Sequence, residues 1–451
     1  MGVVLMFCSF LIKEKSVIRT IATGGMLLLV ILNILEMCGT ELFDVNTHGM
    51  ILFDRFSLLF NTIVLISTLV YFLLSAKDME HTGVNYAEYF TLIFFIICGV
   101  TLVSSFQSLL ILFLGIEIIS IPLYILTGSD KRNLKSNEAA LKYFLQGTFS
   151  TGLMLMGIAL VYGATGSFSN ASITIAVQEN IASPLMIAGM ILLLASMAFK
   201  ASAAPFHFWT PDVYDGAPTV FTSFMATIVK VAVFIAFIRM FDEVFGKLES
   251  EWKLIIGIVT VATLFVGNVT AVFQQSVKRM LAYSSIAQAG FMMLAIYAMN
   301  AEAKEGLLLY AAAYSLATIG IFAVLIKMSD YSFEAFNGLA KHQPLLAATT
   351  TIFLLSLAGI PLTGGFIAKF YMLKATMAAG NTLWLVIFAV LMAAVSVYYY
   401  FRVIQAMYFR EWDGKHTLQA GTSFKVITVL VAGLIILLGI YPDIILNWFY
   451  F

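Results

Sequence analysis

Residues 184–209 read PLMIAGMILLLASMAFKASAAPFHFW, an apolar run interrupted by a lysine and a proline. Pro205 lacks a backbone donor and clashes with the turn before it, so a helix through this stretch must break near that residue. Broken helices at membrane depth are tolerated only inside protein or beside a water-filled cavity. The stretch therefore predicts a membrane protein with polar chemistry in its interior.

The composition of the chain agrees with this prediction. Of 451 residues, 61% are hydrophobic and only 11% are charged, whereas soluble domains are nearer a quarter charged. Apolar runs of about 20 residues recur along the chain and are too long and continuous for barrel strands. The sequence predicts an all-α fold, a polytopic bundle of membrane helices.

We predict about fourteen spans, of which the first is short for a crossing. Either the bilayer is thin there or the natural chain starts earlier. Alternate loops hold about fifteen lysines and arginines against about six, which predicts the richer set in the cytoplasm and both termini on the other side. The predicted spans lie near 1–12, 18–38, 56–76, 88–105, 107–127, 139–163, 182–208, 217–241, 253–273, 280–299, 305–327, 344–378, 382–409 and 424–448.

The run 344–378 resembles the opening stretch, because it carries Gly359-Ile-Pro361 and then Gly364-Gly365 in mid-span. Two interrupted helices in matching positions are typical of inverted-repeat transporters. Two ordinary proline kinks are the alternative.

Charge inside a bilayer is costly and usually functional. Three lysines lie deep in predicted spans: Lys200 beside the first break, Lys230 in the middle of an apolar run, and Lys369 after the second break. Lys142 lies near the start of its span, where it either serves proton transfer or extends to the interface.

Glu117 is the carboxylate most central to a span, and we predict that it pairs with Lys200. Burial disfavours a charged lysine, and a carboxylate at about 4 Å restores roughly 4 kcal/mol at an effective dielectric of 20. A change of pairing partner would then hand the proton to Lys230. His207, just past the first break, is either a proton relay or a cap on free carbonyls.

Polar side chains also occur in the ninth and tenth predicted spans, where they either hold a water chain or join helices. They are Asn268, Thr270, Tyr283, Ser284, Ser285 and Gln288.

Several classes of function are excluded by composition and motif. The formal net charge is zero, which gives no nucleic-acid footprint. The three cysteines lack metal or redox spacing, and no glycine-rich phosphate motif precedes a helix. We therefore expect no cofactor or metal in this chain.

Three long motifs resemble the antiporter-like subunits of respiratory complex I. They are 199–218, 277–290 and 357–370, and the Val-Tyr-Asp-Gly-Ala-Pro ending at 213–218 is similar to one branch of that family, the N subunits of NADH-quinone oxidoreductases. The resemblance extends from about Phe56 to the end of the chain.

The resemblance implies two inverted five-helix repeats, over 88–241 and 253–409, with the seventh and twelfth helices broken. It implies a proton-translocation row that matches Glu117, Lys200, Lys230 and Lys369, with a less certain role for Lys142. Electron transfer would take place in partner subunits that hold NADH, FMN, iron–sulfur clusters and quinone. Sister antiporter-like subunits would be neighbours in the bacterial plasma membrane.

Two other transporter functions share these features. A subunit of a multi-subunit cation/proton antiporter would share the fold and the buried lysines but usually lacks the ending at 213–218. A subunit of a membrane-bound hydrogenase would differ in its neighbours. A purely structural scaffold would leave three buried lysines and a central glutamate unexplained.

Overall fold

The computed structural model describes residues 1–40, 47–83, 86–179, 183–380, 382–412 and 420–450. Within these ranges the chain is helical, with isolated bridges and no strand, which confirms the predicted all-α class. The helices are α1 Gly2–Leu11, α2 Lys15–Met37, α3 Arg55–Ser75, α4 Tyr86–Ser105, α5 Leu109–Thr127, α6 Leu134–Thr165, α7 Asn170–Glu179, α8 Pro184–Ala201, α9 Trp209–Gly216, α10 Thr219–Phe224, α11 Lys230–Arg239, α12 Glu249–Val272, α13 Val277–Ala298, α14 Ala301–Ile326, α15 Leu339–His342, α16 Pro344–Ala358, α17 Gly364–Ala378, α18 Leu383–Phe409, α19 Thr422–Ile440 and α20 Asp443–Tyr450.

Twelve helical stretches in the described ranges are long and apolar enough to cross a membrane. The predicted count of about fourteen is not confirmed. Two predicted spans fall short of that length: the first corresponds to α1, with 10 residues, and the other is divided between α16 and α17, with 15 residues each.

Polar side chains fix several of the helix starts. Asp54 caps α3, Ser108 caps α5 and Asn133 caps α6, each accepting a hydrogen bond from a backbone N–H in the first turn. Such caps satisfy donors that the helix itself cannot pair. Because α6 has 32 residues, at about 1.5 Å per residue it spans roughly 48 Å, well beyond the hydrocarbon core of ~30 Å.

The centre of the bundle is the stretch Thr219–Val244, which is wholly buried over its most apolar window. It comprises α10, a π-helical turn at Met225–Val229, α11 and a second π-helical turn at Met240–Val244. A helix that is apolar on every side must be enclosed by other helices. Lys230 therefore lies inside the bundle, with a side chain that is 2% exposed.

Glycine allows two pairs of neighbouring helices to approach closely. A Cβ atom on Gly99 of α4 would lie 2.8 Å from the Gly115 carbonyl oxygen of α5. A Cβ atom on Gly157 of α6 would lie 2.9 Å from the Gly189 carbonyl oxygen of α8. Backbones that pack this closely are typical of membrane helices, where small residues form the contacts.

Helical structure stops at both proline motifs. Helix α8 ends at Ala201 and α9 begins at Trp209, while α16 ends at Ala358 and α17 begins at Gly364. The residues that follow α8 and α16, Ser202 and Gly359, have φ angles of 64° and 82°. The assignment of each pair of helices to one broken span, and the inverted repeats, stay predictions.

Ion pairs join loops of the same predicted side. Lys327 pairs with Asp78 at 2.7 Å, and both lie in loops of the basic-rich set. Lys304 pairs with Asp242 at 2.5 Å, and both lie in the other set. Within the described ranges no ion pair connects the two sets, which supports the alternation of loops but leaves the cytoplasmic assignment a prediction.

Candidate functional site

Glu117 and Lys200 do not form the ion pair that the sequence predicts. The Lys200 ammonium, in a side chain only 8% exposed, donates a 2.8 Å hydrogen bond to the hydroxyl of Ser120. The Glu117 carboxylate instead accepts a 2.7 Å hydrogen bond from the Thr151 hydroxyl of α6. Each charge is therefore bound to a neutral hydroxyl.

A small enclosed cavity connects Lys200 with Lys230. Its volume of about 20 Å³ is enough for roughly one water molecule. The rest of its wall is formed by Ile116, Ile119, Ser120, Tyr143, Trp209, Tyr214, Met225, Val229 and Val233. Lys200 and Lys230 thus both line one chamber, which lies against α5, α8 and α11.

Lys230 is 2% exposed and lies directly after the first π-helical turn. Its ammonium donates to the carbonyl oxygen of Ser285 at 2.8 Å and to the Ser285 hydroxyl at 3.0 Å. The ring of Tyr214 lies 5.9 Å away. Single π-helical turns are frequent at functional sites, because they change the direction of side chains on the helix.

Beside Ser285 on α13, a second set of polar side chains leads to α18 and to the end of α16. The neighbouring Ser284 hydroxyl lies 2.5 Å from the Tyr400 hydroxyl of α18. The Gln288 amide donates to that hydroxyl at 3.1 Å and to the Leu357 carbonyl at 2.9 Å, and Gln288 also accepts a hydrogen bond from Tyr310. These contacts form a polar bridge across the second half of the bundle.

Lys369 is at the far end of that bridge. Its side chain is 6% exposed, and its ammonium donates to the carbonyls of Leu357 and Ala358 at 2.8 and 3.0 Å. Gln288 and Lys369 thus share the Leu357 carbonyl, an oxygen that α16 leaves free where it ends. The ring of Phe291 lies 4.6 Å from the ammonium.

Lys142 lies in a charged cluster outside the chamber. Its side chain is 40% exposed and pairs with Glu138 at 2.7 Å and Asp212 at 2.9 Å. Asp212, beyond the predicted span 182–208, also pairs with Arg279 at 3.0 Å. Partial burial opposes ionisation of Asp212, but the hydrogen bonds and charges of these two cations outweigh it and lower the pKa of the carboxyl.

The charged cluster and the chamber share a wall. Tyr143 follows Lys142 on α6, and its ring stacks on Trp209 of α9 with centroids 4.6 Å apart. Both rings line the chamber. His207 is buried between α8 and α9 and contacts the ring of Phe208, but it does not line the chamber.

Sequence analysis missed several residues of this site, among them Ser120, Thr151 and Tyr400. Ser120 had a signal, since a residue three positions after Glu117 lies on the same face of a helix. Thr151 and Tyr400 had none, because single hydroxyls in apolar helices most often bond to their own backbone. Among the described residues, no group of His, Cys, Asp or Glu side chains is placed to hold a metal ion.

Residues 107–396 match the family described as NADH:quinone oxidoreductase/Mrp antiporter, transmembrane. The NADH-quinone oxidoreductase subunit N of Cytophaga hutchinsonii is 42% identical over 89% of this chain and 88% of its own length. That of Flavobacterium johnsoniae is 37% identical over 94% of both chains.

Solved structures show the same fold. A chain of respiratory complex I from Thermus thermophilus superposes with a TM-score of 0.84 at 32% identity, over 99% of this chain and 96% of its own. A chain of the Mrp complex from Dietzia sp. has a TM-score of 0.87 at 17% identity, covering 99% and 94%. The second likeness is one of fold alone.

Proposed function

This chain belongs to the family of NADH-quinone oxidoreductase subunit N, and on that premise we propose that protons move through it along Glu117 and three buried lysines. The family consists of antiporter-like, proton-translocating membrane subunits of complex I. We call Lys200, Lys230 and Lys369 the lysine row.

One observation carries the proposal: every ammonium of the lysine row is buried and held by neutral oxygens. Within the described ranges no carboxylate lies within ion-pair distance of any of them. A buried lysine fixed by a carboxylate would keep its charge, whereas one held by neutral oxygens has no such constraint. Ionisable residues of this kind inside membrane helices mark proton relays.

The first transfer would cross the chamber between Lys200 and Lys230, through the water molecule for which the chamber has room. The second would follow the polar bridge to Lys369. Hydroxyls both donate and accept hydrogen bonds, so Ser284 and Tyr400 are suited to pass a proton along that bridge, and a transfer from Ser285 to the adjacent Ser284 would join it to Lys230.

Pairing of Glu117 with Lys200 would control the first transfer. In the structure the two charges are apart, a state in which the Lys200 ammonium lacks the roughly 4 kcal/mol of a contact at about 4 Å and an effective dielectric of 20. Closing the pair would favour a proton on Lys200, and opening it would favour release towards Lys230. The charged cluster around Lys142, which adjoins the chamber wall, is our candidate for the point of entry, and a relay role for His207 stays a prediction.

Partner subunits would carry the redox chemistry of the complex. We propose that NADH, FMN, iron–sulfur clusters and quinone are bound there, and that this chain carries no redox centre. Sister antiporter-like subunits would adjoin it in a bacterial plasma membrane, with both termini on the non-cytoplasmic side. A cation/proton antiporter without redox coupling is less well supported, because the Mrp likeness is at 17% identity and the subunit N likeness at 42%.

The Lys230→Ala variant tests the proposal in inverted membrane vesicles. We expect NADH-driven proton pumping and coupled quinone reduction to collapse while the complex still assembles. Lys253→Ala is the matched control, since this lysine of α12 pairs with Glu249 at the surface. Unchanged pumping in Lys230→Ala would show that the lysine row is not the path.

A further inference from the structure

We infer that Thr151 and Ser120 are positioning residues that hold Glu117 and Lys200 apart, so that the pair closes only when these hydroxyls give up their bonds. The inference rests on the proposed function and adds the partners that compete with the ion pair.

On the carboxylate side, the competing partner is a hydroxyl on another helix. Thr151 lies on α6 and its hydroxyl reaches Glu117 at 2.7 Å, but the carbonyl of Gly147 is also within 3.1 Å. A hydroxyl has a single hydrogen, so it cannot donate fully to both. When Thr151 donates to Gly147, Glu117 loses this bond and a cation becomes its better partner.

On the ammonium side, Ser120 draws Lys200 away from Glu117. The Ser120 hydroxyl is within 2.7 Å of the Ile116 carbonyl, to which it donates, and its oxygen accepts from Lys200 at 2.8 Å. Ser120 follows Glu117 by three residues on α5, so the Cα atoms of the two residues are separated by roughly 4.5 Å along the helix axis. Both roles of the hydroxyl are used, so Ser120 holds Lys200 without leaving a polar atom unpaired.

The four groups lie on three closely packed helices, which makes the hydroxyls the adjustable parts. Helix α6 contacts α8 through the close approach at Gly157 and Gly189, and α5 contacts α4 at Gly115 and Gly99. Rotation of a threonine or serine hydroxyl needs no movement of the backbone of any of these helices. Opening and closing of the pair therefore depends on exchange of hydrogen bonds among four side chains.

Thr151→Val removes the hydroxyl and keeps the shape of the side chain. A hydrogen bond to a charged group shifts an equilibrium by a factor of roughly 10 or more, so the pair should stay closed and NADH-driven pumping per assembled complex should fall about tenfold. Thr151→Ser loses a methyl group but keeps the hydroxyl, and should pump within about twofold of wild type. Thr148→Val is the control, because Thr148 is exposed one turn away on α6 and bonds only to the Phe144 carbonyl.

Pumping would be measured in inverted vesicles, normalised to assembled complex on native gels, with Lys230→Ala alongside. Wild-type pumping by Thr151→Val would overturn the inference, as would an equal loss in Thr151→Ser, which would indicate packing. Ser120→Ala must lower pumping in the same direction, and gives an independent refutation if it does not. Normal pumping by Lys230→Ala would instead refute the proposed function, and so separates the two failures.

Discussion

Replacement of Tyr400 by phenylalanine tests the polar bridge between Lys230 and Lys369. The hydroxyl of Tyr400 contacts the Ser284 hydroxyl and accepts from the Gln288 amide. The substitution removes both contacts and leaves the aromatic ring in place.

The size of the effect follows from those two contacts. At about 1 kcal/mol for each hydrogen bond, the path loses roughly 2 kcal/mol, and at 1.36 kcal/mol per tenfold change in rate this corresponds to about 30-fold slower transfer. The assay is NADH-driven acidification of inverted vesicles, with quinone reduction measured on the same sample.

Tyr71 of α3 provides the control. It is equally buried, and its hydroxyl donates to the Val220 carbonyl at 3.2 Å, outside the bridge. Tyr71→Phe should cost comparable stability and leave the pumping rate unchanged. If Tyr400→Phe pumps like wild type, or if both variants lose pumping equally, the bridge is not the route to Lys369.

Two further predictions concern the charged cluster and the helix packing. Because the folded-state pKa of Asp212 is lowered, its ion pairs stabilise the protein above the pKa of the unfolded carboxyl, and this contribution is lost as pH falls through the folded value. Asp212→Asn should therefore lower the melting temperature at pH 7, by the equivalent of up to about 1 kcal/mol. Thermal melts should show that the difference in melting temperature between variant and wild type decreases only in strong acid. A difference that persists in strong acid would contradict the assignment of the effect to the ion pairs of Asp212. Gly157→Leu should reduce assembly of the complex on native gels, since overpacking a close contact costs about 1–3 kcal/mol. Gly152 lies on the same helix with open space around it, so Gly152→Leu should assemble normally. Equal assembly of the two variants would contradict the close contact of α6 and α8 at Gly157.

The lysine row could be predicted from sequence because a lysine inside an apolar run can be recognised from its neighbours in the chain alone. The ends of α8 and α16 were visible for a similar reason, since proline acts on its own helix. The bonds of Glu117 were not. Their choice between Lys200 and Thr151 depends on side-chain positions of helices separated in sequence, and alternatives of this kind differ by only a few kcal/mol.

The helix count illustrates a different limit. Hydropathy alone predicts a span wherever an apolar run is long enough, and it treats 344–378 as continuous. The structure divides this run into α16 and α17, because Gly359 takes a left-handed conformation before Pro361. The polar bridge through Tyr400 could not be predicted, because nothing in the sequence of α18 indicates which of its faces packs against α13.

The contacts of Lys369 determine what the fold loses when this side chain releases its proton. A charged lysine carries three N–H bonds, and a neutral amine keeps two of them together with a lone pair. The two carbonyls that Lys369 holds, on Leu357 and Ala358, require two donors. The neutral amine can therefore keep both hydrogen bonds to the end of α16 while its lone pair is free to accept a proton. Lys369 can thus be protonated and deprotonated without any change in the backbone around it.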